Sequence, residues 1–340
     1  MKYEVLNRGF VCRELPTAMC HGTTVLPSKD SDIVLSAWFG GSYEGEDDTS
    51  IYLSAFDGYR WSTPMVMTPQ NEPHWNPVLC DLGNNQIALY YKIGRKIASW
   101  RTMVRYSSDG GNTWSEAKEL VNGDEGGRGP VRCKVIRLSN GDLLAPASSE
   151  LAVNRAFADR SCDNGRTWQK SNIIEIKNLS QNADFADTAR EIEVSEQSFK
   201  GRGVIQPTLW ESTPGIVHML LRSSEKRIFR SDSEDYGKSW CDAYPTQLPG
   251  NNSGIDLALT NDKRAIVLAY NPVAANWGSR TPLSLATSTD NGATWEHLMD
   301  LETGEGEFSY PAIVSQNDIF HITYTWKRKA IAYWQIKIQI

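Results

Sequence analysis

Two arginines, a tyrosine and a crowded acidic loop are the residues of this chain whose types and surroundings suit chemistry. Arg222 closes the apolar run 216–221, and Arg280 stands in Ser279-Arg-Thr-Pro-Leu-Ser-Leu-Ala-Thr-Ser288. A guanidinium at the end of an apolar strand is costly unless paired. Two of them converging on one face make a bidentate anion clamp. Tyr310 lies in Glu307-Phe-Ser-Tyr-Pro-Ala-Ile313. Beside two arginines its phenol would ionise more readily, and Glu307 is close enough in sequence to assist it. Asp48 sits among Glu44, Glu46 and Asp47. Crowding by like charges raises a carboxyl pKa, which a general acid needs, and Glu44 is the second carboxyl of interest there. His21, one of five histidines, titrates near neutrality when unperturbed. Lys92 ends the run 87–91 and Glu150 ends 143–149, in the same relation to their strands as Arg222. Each residue also has an ordinary role open to it: an edge ion pair for the arginines, a buried ring for Tyr310, a solvated loop for Asp48, a core imidazole for His21.

The elements that must position these groups are marked by a repeat. Ser-x-Asp-x-Gly-x-Thr/Ser-Trp occurs at 107–114, 161–168, 233–240 and 288–295, and a worn copy with a displaced Asp occupies 54–61. Asp accepts bonds from nearby backbone N–H groups and Gly supplies positive φ, so each copy reads as a hairpin turn. The Trp that follows is suited to packing between neighbouring sheets. Alternating apolar runs such as 51–56 and 216–221 flank the turns and read as strands. The repeat recurs about every fifty residues, long enough for a four-stranded propeller blade with its loops. The longest interval, before Trp240, holds a polar insert at 181–202 that reads as a surface loop with a helical turn near 189–197. The stretch 310–340 holds further strands without a repeat, and with an N-terminal strand it would complete a sixth blade. The expected fold is therefore all-β, a six-bladed β-propeller over 1–340 as a single domain, closed by its N- and C-terminal strands so that no sheet edge stays open.

Composition narrows the partners. The net charge is −6, with both signs interspersed, which argues against nucleic acid. No apolar run approaches membrane-spanning length, and the first ten residues lack the apolar core of a signal peptide. A cytoplasmic location is expected, or a secreted or periplasmic one if a signal was trimmed. The six cysteines show no Cys-x-x-Cys spacing, as for free, mostly buried thiols with neither disulfides nor zinc. Neither a metal nor an organic cofactor is expected.

The repeats resemble the Asp-box, or bacterial neuraminidase repeat, signature, and their number and spacing resemble the sialidase superfamily over nearly the whole chain. The box is a fold signal alone, since function lives in the site. In that family, three arginines from different blades hold the substrate carboxylate, a Tyr assisted by a Glu is the nucleophile, and an Asp on a loop is the acid/base. The resemblance places Arg222 and Arg280 as the middle and last arginines, Tyr310 as the nucleophile and Asp48 as the acid/base. It departs from the family twice: His21 stands where the first arginine would be, and Gln206 stands where the Glu before the middle arginine would be. Gln cannot take a proton from Tyr310, so the chain looks like a divergent, sialidase-like branch.

The resemblance implies an exo-acting glycoside hydrolase on a terminal acidic sugar of an oligosaccharide or glycan, sialic acid or a relative. Arg222, Arg280, Gln206, Lys92, Glu150 and Glu44 would contact substrate. Trp38, Trp75, Trp100, Trp210, Trp277 and Trp326 lie outside the repeats; some of them belong to the core and one or two are candidates to stack on a sugar ring, and His74 is a further candidate at the pocket mouth. Two other readings stand beside this one. His21 and Tyr310 form a base/acid pair for β-elimination or for a uronic-acid-directed glycosidase, because arginines that neutralise a carboxylate make its α-proton more acidic. Alternatively, the ring binds glycans without turnover.

Overall fold

A computed structural model of the chain describes residues 1–12, 14–29, 31–151, 153–177, 179 and 201–339. The insert up to residue 200, with the helical turn expected near 189–197, lies outside them. The protein is all-β, and no α-helix occurs among the described residues. Met19–Pro27, Val34–Gly41, Ser50–Phe56 and Met65–Val66 pair in sequence order as one four-stranded sheet. His74–Gly83, Gln86–Ile93, Arg101–Ser107 and Lys118–Glu119 form a second. An eight-stranded sheet runs from Ile136–Arg137 to Tyr244–Pro249. Its two halves join where Val153 and Asn154 pair in parallel with Arg202 and Gly203. Asp256–Leu259, Ile266–Tyr270, Leu283–Ser288 and Glu296–Glu302 make the next sheet. In the last, Phe308–Gln316, Ile319–Trp326 and Ala330–Gln339 are completed by the N-terminal strand Lys2–Cys12, so the two ends of the chain share a ladder.

The repeats make the turns their residues dictate. In 107–114 the Asp109 carboxylate accepts from the Thr113 N–H at 2.9 Å and the Thr113 hydroxyl at 2.6 Å. The Ser107 hydroxyl donates to the same carboxylate at 2.8 Å and accepts from the Gly111 N–H, also at 2.8 Å. Bonds from Thr113 and Ser107 hold the Asp109 pKa down at about 2. Gly111 adopts φ 97°, which a side chain would resist. The Trp114 ring nitrogen donates to the Gly111 carbonyl at 3.0 Å, which fixes the indole. The copies at 161–168, 233–240 and 288–295 repeat these bonds. In the worn copy Asp57 instead takes the N–H groups of Tyr59 and Arg60.

The fixed indoles pack where one sheet meets the next. Trp168 lies with Val78 and Tyr90 of the preceding sheet. Trp240 packs among residues from both halves of the eight-stranded sheet. The cluster containing Trp61 joins Trp38 and Tyr52 to Ala312, Ile331 and Tyr333, linking the last sheet to the first. Strands covered on both faces read as near-continuous apolar runs, as in Ile216–Ser223, where every residue after the first is buried. Of the cysteines, Cys20, Cys80 and Cys133 are buried, Cys12 is half-buried, and Cys162 and Cys241 are exposed; all are free.

Four first strands break their ladders at matching places. Bulges fall between His21 and Thr24, Trp75 and Val78, Ile205 and Thr208, and Ser309 and Ala312. At these bulges Gly22, Asn76, Gln206 and Tyr310 take φ of 60°, 45°, 49° and 54°. Proline follows three of them, at Pro77, Pro207 and Pro311, and its missing N–H cannot continue the ladder. Left-handed backbone at a non-glycine residue costs about 1–3 kcal/mol and concentrates where function needs it. Asn76, Gln206 and Tyr310 all line the same pocket.

Candidate functional site

That pocket has a volume of about 270 Å³. Three guanidinium groups line it, from Arg222, Arg280 and Arg328, together with Tyr310, Gln206, Glu44 and Glu150. Arg222 ends its buried strand, and Tyr310 is thrust forward by its bulge. The Arg222 Nη1 donates to the Tyr310 hydroxyl at 2.9 Å and to Gln206 Oε1 at 2.9 Å, while its Nε donates to Asn252 Oδ1 at 3.1 Å. These partners are neutral, and among the described residues no carboxylate is hydrogen-bonded to this buried cation. Gln206 Nε2 in turn donates to Glu150 Oε1 at 2.8 Å. The chain of contacts therefore runs from the phenol through Arg222 and Gln206 to a carboxyl.

The other two arginines of the pocket are held by acids. Arg280 donates to Glu307 at 2.6 Å. Arg328 donates to both oxygens of Glu307 at 3.2 and 3.1 Å and to Glu44 at 2.5 Å. Burial works against the Arg328 charge, but Glu44 and Glu307 outweigh it and raise the pKa. Burial likewise pushes the Glu307 carboxyl up, and Arg280 and Arg328 overcome this to leave it below its ordinary value. Glu307, considered from sequence as an aid to Tyr310, is thus placed as the brace between two arginines. A fourth guanidinium, Arg132, lies beneath. It donates to the carbonyls of Ile255 and Pro311 and sits 5.1 Å from the centre of the Tyr310 ring. Arg222 and Arg280 lie 5.7 and 5.5 Å from the same ring, so cation–π attraction holds the phenol in place. Gly254 makes room for this stack: a Cβ there would come within 2.9 Å of Arg132 Nε and 3.2 Å of the Tyr310 ring.

His21 is buried behind Tyr310, with ring centres 4.1 Å apart, and is not on the pocket wall. Burial, then Arg328, Arg280, Arg132 and Arg222, drive its pKa well below the ordinary imidazole value. Its Nδ1 has no hydrogen-bond partner among the described residues. Lys92 is also buried and off the wall, donating to Thr102 Oγ1 and to the carbonyls of Gly127 and Arg128. Burial lowers its pKa to about 8, and its bonds anchor the loop that leads to Arg132. Asp48 is exposed and accepts from the Ser42 N–H and hydroxyl, so Glu44 is the member of the acidic loop that lines the pocket. Glu150 has a raised pKa: burial outweighs the opposing pull of Arg222, Gln206 and Lys92.

Aromatic surfaces complete the site. Trp75 and Trp100 line the pocket with ring centres 5.1 Å apart, and Trp277 and Tyr43 stand exposed at its edge. His74 is buried and bonded to the Thr49 carbonyl, away from the wall. Among the described residues, no group of three or more His, Cys, Asp or Glu side chains is placed to hold a metal ion. Arg132 and Arg328 were not singled out in the sequence. The signal for Arg328 is the basic turn Lys327-Arg328-Lys329, which follows the strand paired with the one carrying Tyr310.

The sequence matches the family model described as a BNR repeat-like domain over residues 32–322. The chain belongs to this BNR repeat-like family. The search of curated proteins gave no match. Among solved structures, a Dyadobacter fermentans protein of unknown function is similar, with 15% identity, a TM-score of 0.73 and 99% of each chain covered. The leech intramolecular trans-sialidase complexed with 2,7-anhydro-Neu5Ac is 14% identical at a TM-score of 0.69, over 98% of this chain and 70% of that one. The Trypanosoma rangeli sialidase in complex with sialic acid is 15% identical at a TM-score of 0.66, over 94% of this chain. This chain spans 54% of that sialidase. At such identities the likeness is one of fold.

Proposed function

We propose that this chain is a sialidase-like glycoside hydrolase that removes a terminal acidic sugar from a glycan. Its fold is read as a single six-bladed propeller, with the eight-stranded sheet counted as two blades. Apolar clusters at each junction between successive sheets, and at the junction of last to first, support that count. The observation that carries the function is that Arg222, Arg280, Arg328 and Tyr310 line one pocket, with Arg222 bonded to the Tyr310 hydroxyl. Three cations lining one cavity suit a sugar carboxylate, and Arg222, bonded among the described residues to neutral groups, has charge to give it.

In this reading Tyr310 attacks the anomeric carbon as the glycosidic C–O bond breaks. The phenol proton leaves to solvent as the oxygen bonds to carbon, and the neighbouring guanidinium groups offset the charge that develops there. A proton must reach the departing oxygen. Of the two carboxyls lining the pocket, Glu44 is ion-paired with Arg328, whereas Glu150 has a raised pKa and so is the one suited to carry a proton. Water then cleaves the sugar–tyrosine bond, and Glu150 recovers its proton. The assignment of Glu150 rather than Asp48 rests on which carboxyl faces the pocket. Sialidases with a tyrosine nucleophile stand outside the usual pair of carboxylates. The buried position of His21, off the pocket wall, favours hydrolysis over elimination.

Release of methylumbelliferone from its α-sialoside by the full chain tests the proposal. Tyr310→Phe should lower turnover by about three orders of magnitude or more while a carboxylate-bearing sugar still binds. Unchanged turnover in that variant, or an unsaturated uronate absorbing in the ultraviolet as the product from a polyuronate, would overturn the hydrolase reading. Glycan binding with no turnover across a broad panel would favour a binding propeller.

A further inference from the structure

A second constellation sits on the strand Arg202–Thr213, six residues beyond Gln206 and so about 20 Å from the arginine pocket. Ser212, near the end of that strand, has its Oγ 2.8 Å from His218 Nε2. His218 Nδ1 is hydrogen-bonded to Asp232, its direct cross-strand neighbour. Asn291, from the turn of the repeat at 288–295, places its Nδ2 3.0 Å from the same Nε2. Its orientation is fixed, because Trp210 Nε1 donates to its Oδ1 at 2.8 Å. The close contact with the Asp232 carboxylate, an acceptor, places the imidazole proton on Nδ1 and leaves the Nε2 lone pair facing both the Ser212 hydroxyl and the Asn291 amide. Arg230 Nη2 also approaches Nδ1, at 2.8 Å, and its Nε donates to Asp232 at 2.8 Å. Although burial favours its neutral form, bonds from His218, Tyr244 and Arg230 hold Asp232 ionised, with a pKa of about 2.

A hydroxyl on the accepting nitrogen of an imidazole, whose other nitrogen is bonded to a half-buried carboxylate, is the arrangement of a serine hydrolase, which is recognised by geometry rather than by fold. Ser212 is half-buried and opens on a cleft of about 430 Å³ walled by Trp210, Leu259 and Ile266, with Asn291 beside it.

We propose that Ser212, His218 and Asp232 form an esterase site for short-chain acyl esters, separate from the arginine pocket. Ser212 Oγ bonds to the acyl carbon and its proton passes to His218 Nε2. The oxyanion faces Asn291 Nδ2, a side-chain donor of the kind that stabilises such charge. The C–O bond to the alcohol breaks, and the alcohol leaves with the proton from His218. Water then attacks the acyl-serine, giving its proton to His218, and the acid departs as Ser212 recovers a hydrogen. The apolar wall of Leu259 and Ile266 receives the acyl chain.

The test uses the full chain with p-nitrophenyl butyrate and a fluorophosphonate probe. Wild type should hydrolyse the ester and carry the probe on Ser212 in peptide mapping. Ser212→Ala, which removes one half-buried hydroxyl, should abolish labelling and lower kcat/KM by about 1000-fold or more, with an unchanged thermal midpoint. His218→Gln should do the same to labelling. Equal hydrolysis by wild type and Ser212→Ala, no labelling of native wild type, or a probe mapped to another residue would overturn the proposal.

Discussion

The Tyr310 hydroxyl accepts a 2.9 Å hydrogen bond from Arg222, and the same nitrogen of Arg222 donates to Gln206 at 2.9 Å. A carboxylate at position 206 would have neutralised this guanidinium. Gln206 bonds to it without doing so, and its amide N–H passes on to Glu150. One arginine thus stays hydrogen-bonded to neutral partners beside the phenol, while Glu44 and Glu307 brace the other two.

That division of labour separates Arg222 from Arg328. Arg222→Met should raise KM for an acidic sugar strongly and leave the fold little changed, since its partners are neutral and can rebond. Arg328→Met strands Glu44 and leaves Glu307 with Arg280 as its one remaining arginine, and should cost about 1–3 kcal/mol of stability as well as affinity. Chemical denaturation and steady-state kinetics on both variants check this. Equal stability losses would refute the distinction.

Glu150 should set the alkaline limb of the pH–rate profile. Its pKa is raised by burial, so the protonated acid persists above the ordinary carboxyl range and activity falls as pH rises through the shifted value. Glu150→Gln should flatten that limb and lower turnover by about 10²–10⁴-fold. The stability effect has a definite sign. A carboxyl whose folded pKa is raised charges at a cost when the folded protein is taken above that pKa, so stability is lost with rising pH. Glu150→Gln should therefore be the more stable protein at pH 8, and denaturant midpoints measure it.

His21 predicts the opposite slope. Its folded pKa lies well below 6.5, so between pH 7 and 5 the unfolded chain takes up a proton that the folded one refuses. Stability present above the ordinary imidazole pKa is lost as pH falls below it. His21→Gln should reduce the decline in thermal midpoint over this interval. His74 and His321 are also lowered by burial and keep part of the slope in place. A decline as steep in the variant as in wild type would place the effect elsewhere.

Much of the site was legible because the repeats act as rulers. Arg222 and Glu150 end apolar runs, and both line the pocket. Gln206 was found by counting back from Arg222, and Tyr310 by its place at the head of the last sheet's first strand. The ruler failed at turns and at depth. Arg328 lies in a basic hairpin turn that carries no periodic signal. Lys92 ends an apolar run as Arg222 does, yet its ammonium is turned to the carbonyls of Gly127 and Arg128. Asp48 and Glu44 share one loop, and only the fold of that loop sends the Asp48 carboxylate to Ser42 and the Glu44 carboxylate to Arg328.

The sequence by itself determined the local geometry: where each turn falls, which runs are strands and which Trp each Asp-Gly turn presents. Those features depend on side-chain–backbone bonds and on apolar period, which act over a few residues. The convergence of Arg132, Arg222, Arg280 and Arg328 on Tyr310 was decided by tertiary structure alone. It arises because a strand end carrying Arg222, a bulge carrying Tyr310 and connecting segments carrying Arg132, Arg280 and Arg328 are brought together, and the charges there are balanced among residues far apart in the chain. A sequence shows which residues can ionise; the environment that sets their charge exists once the sheets have met.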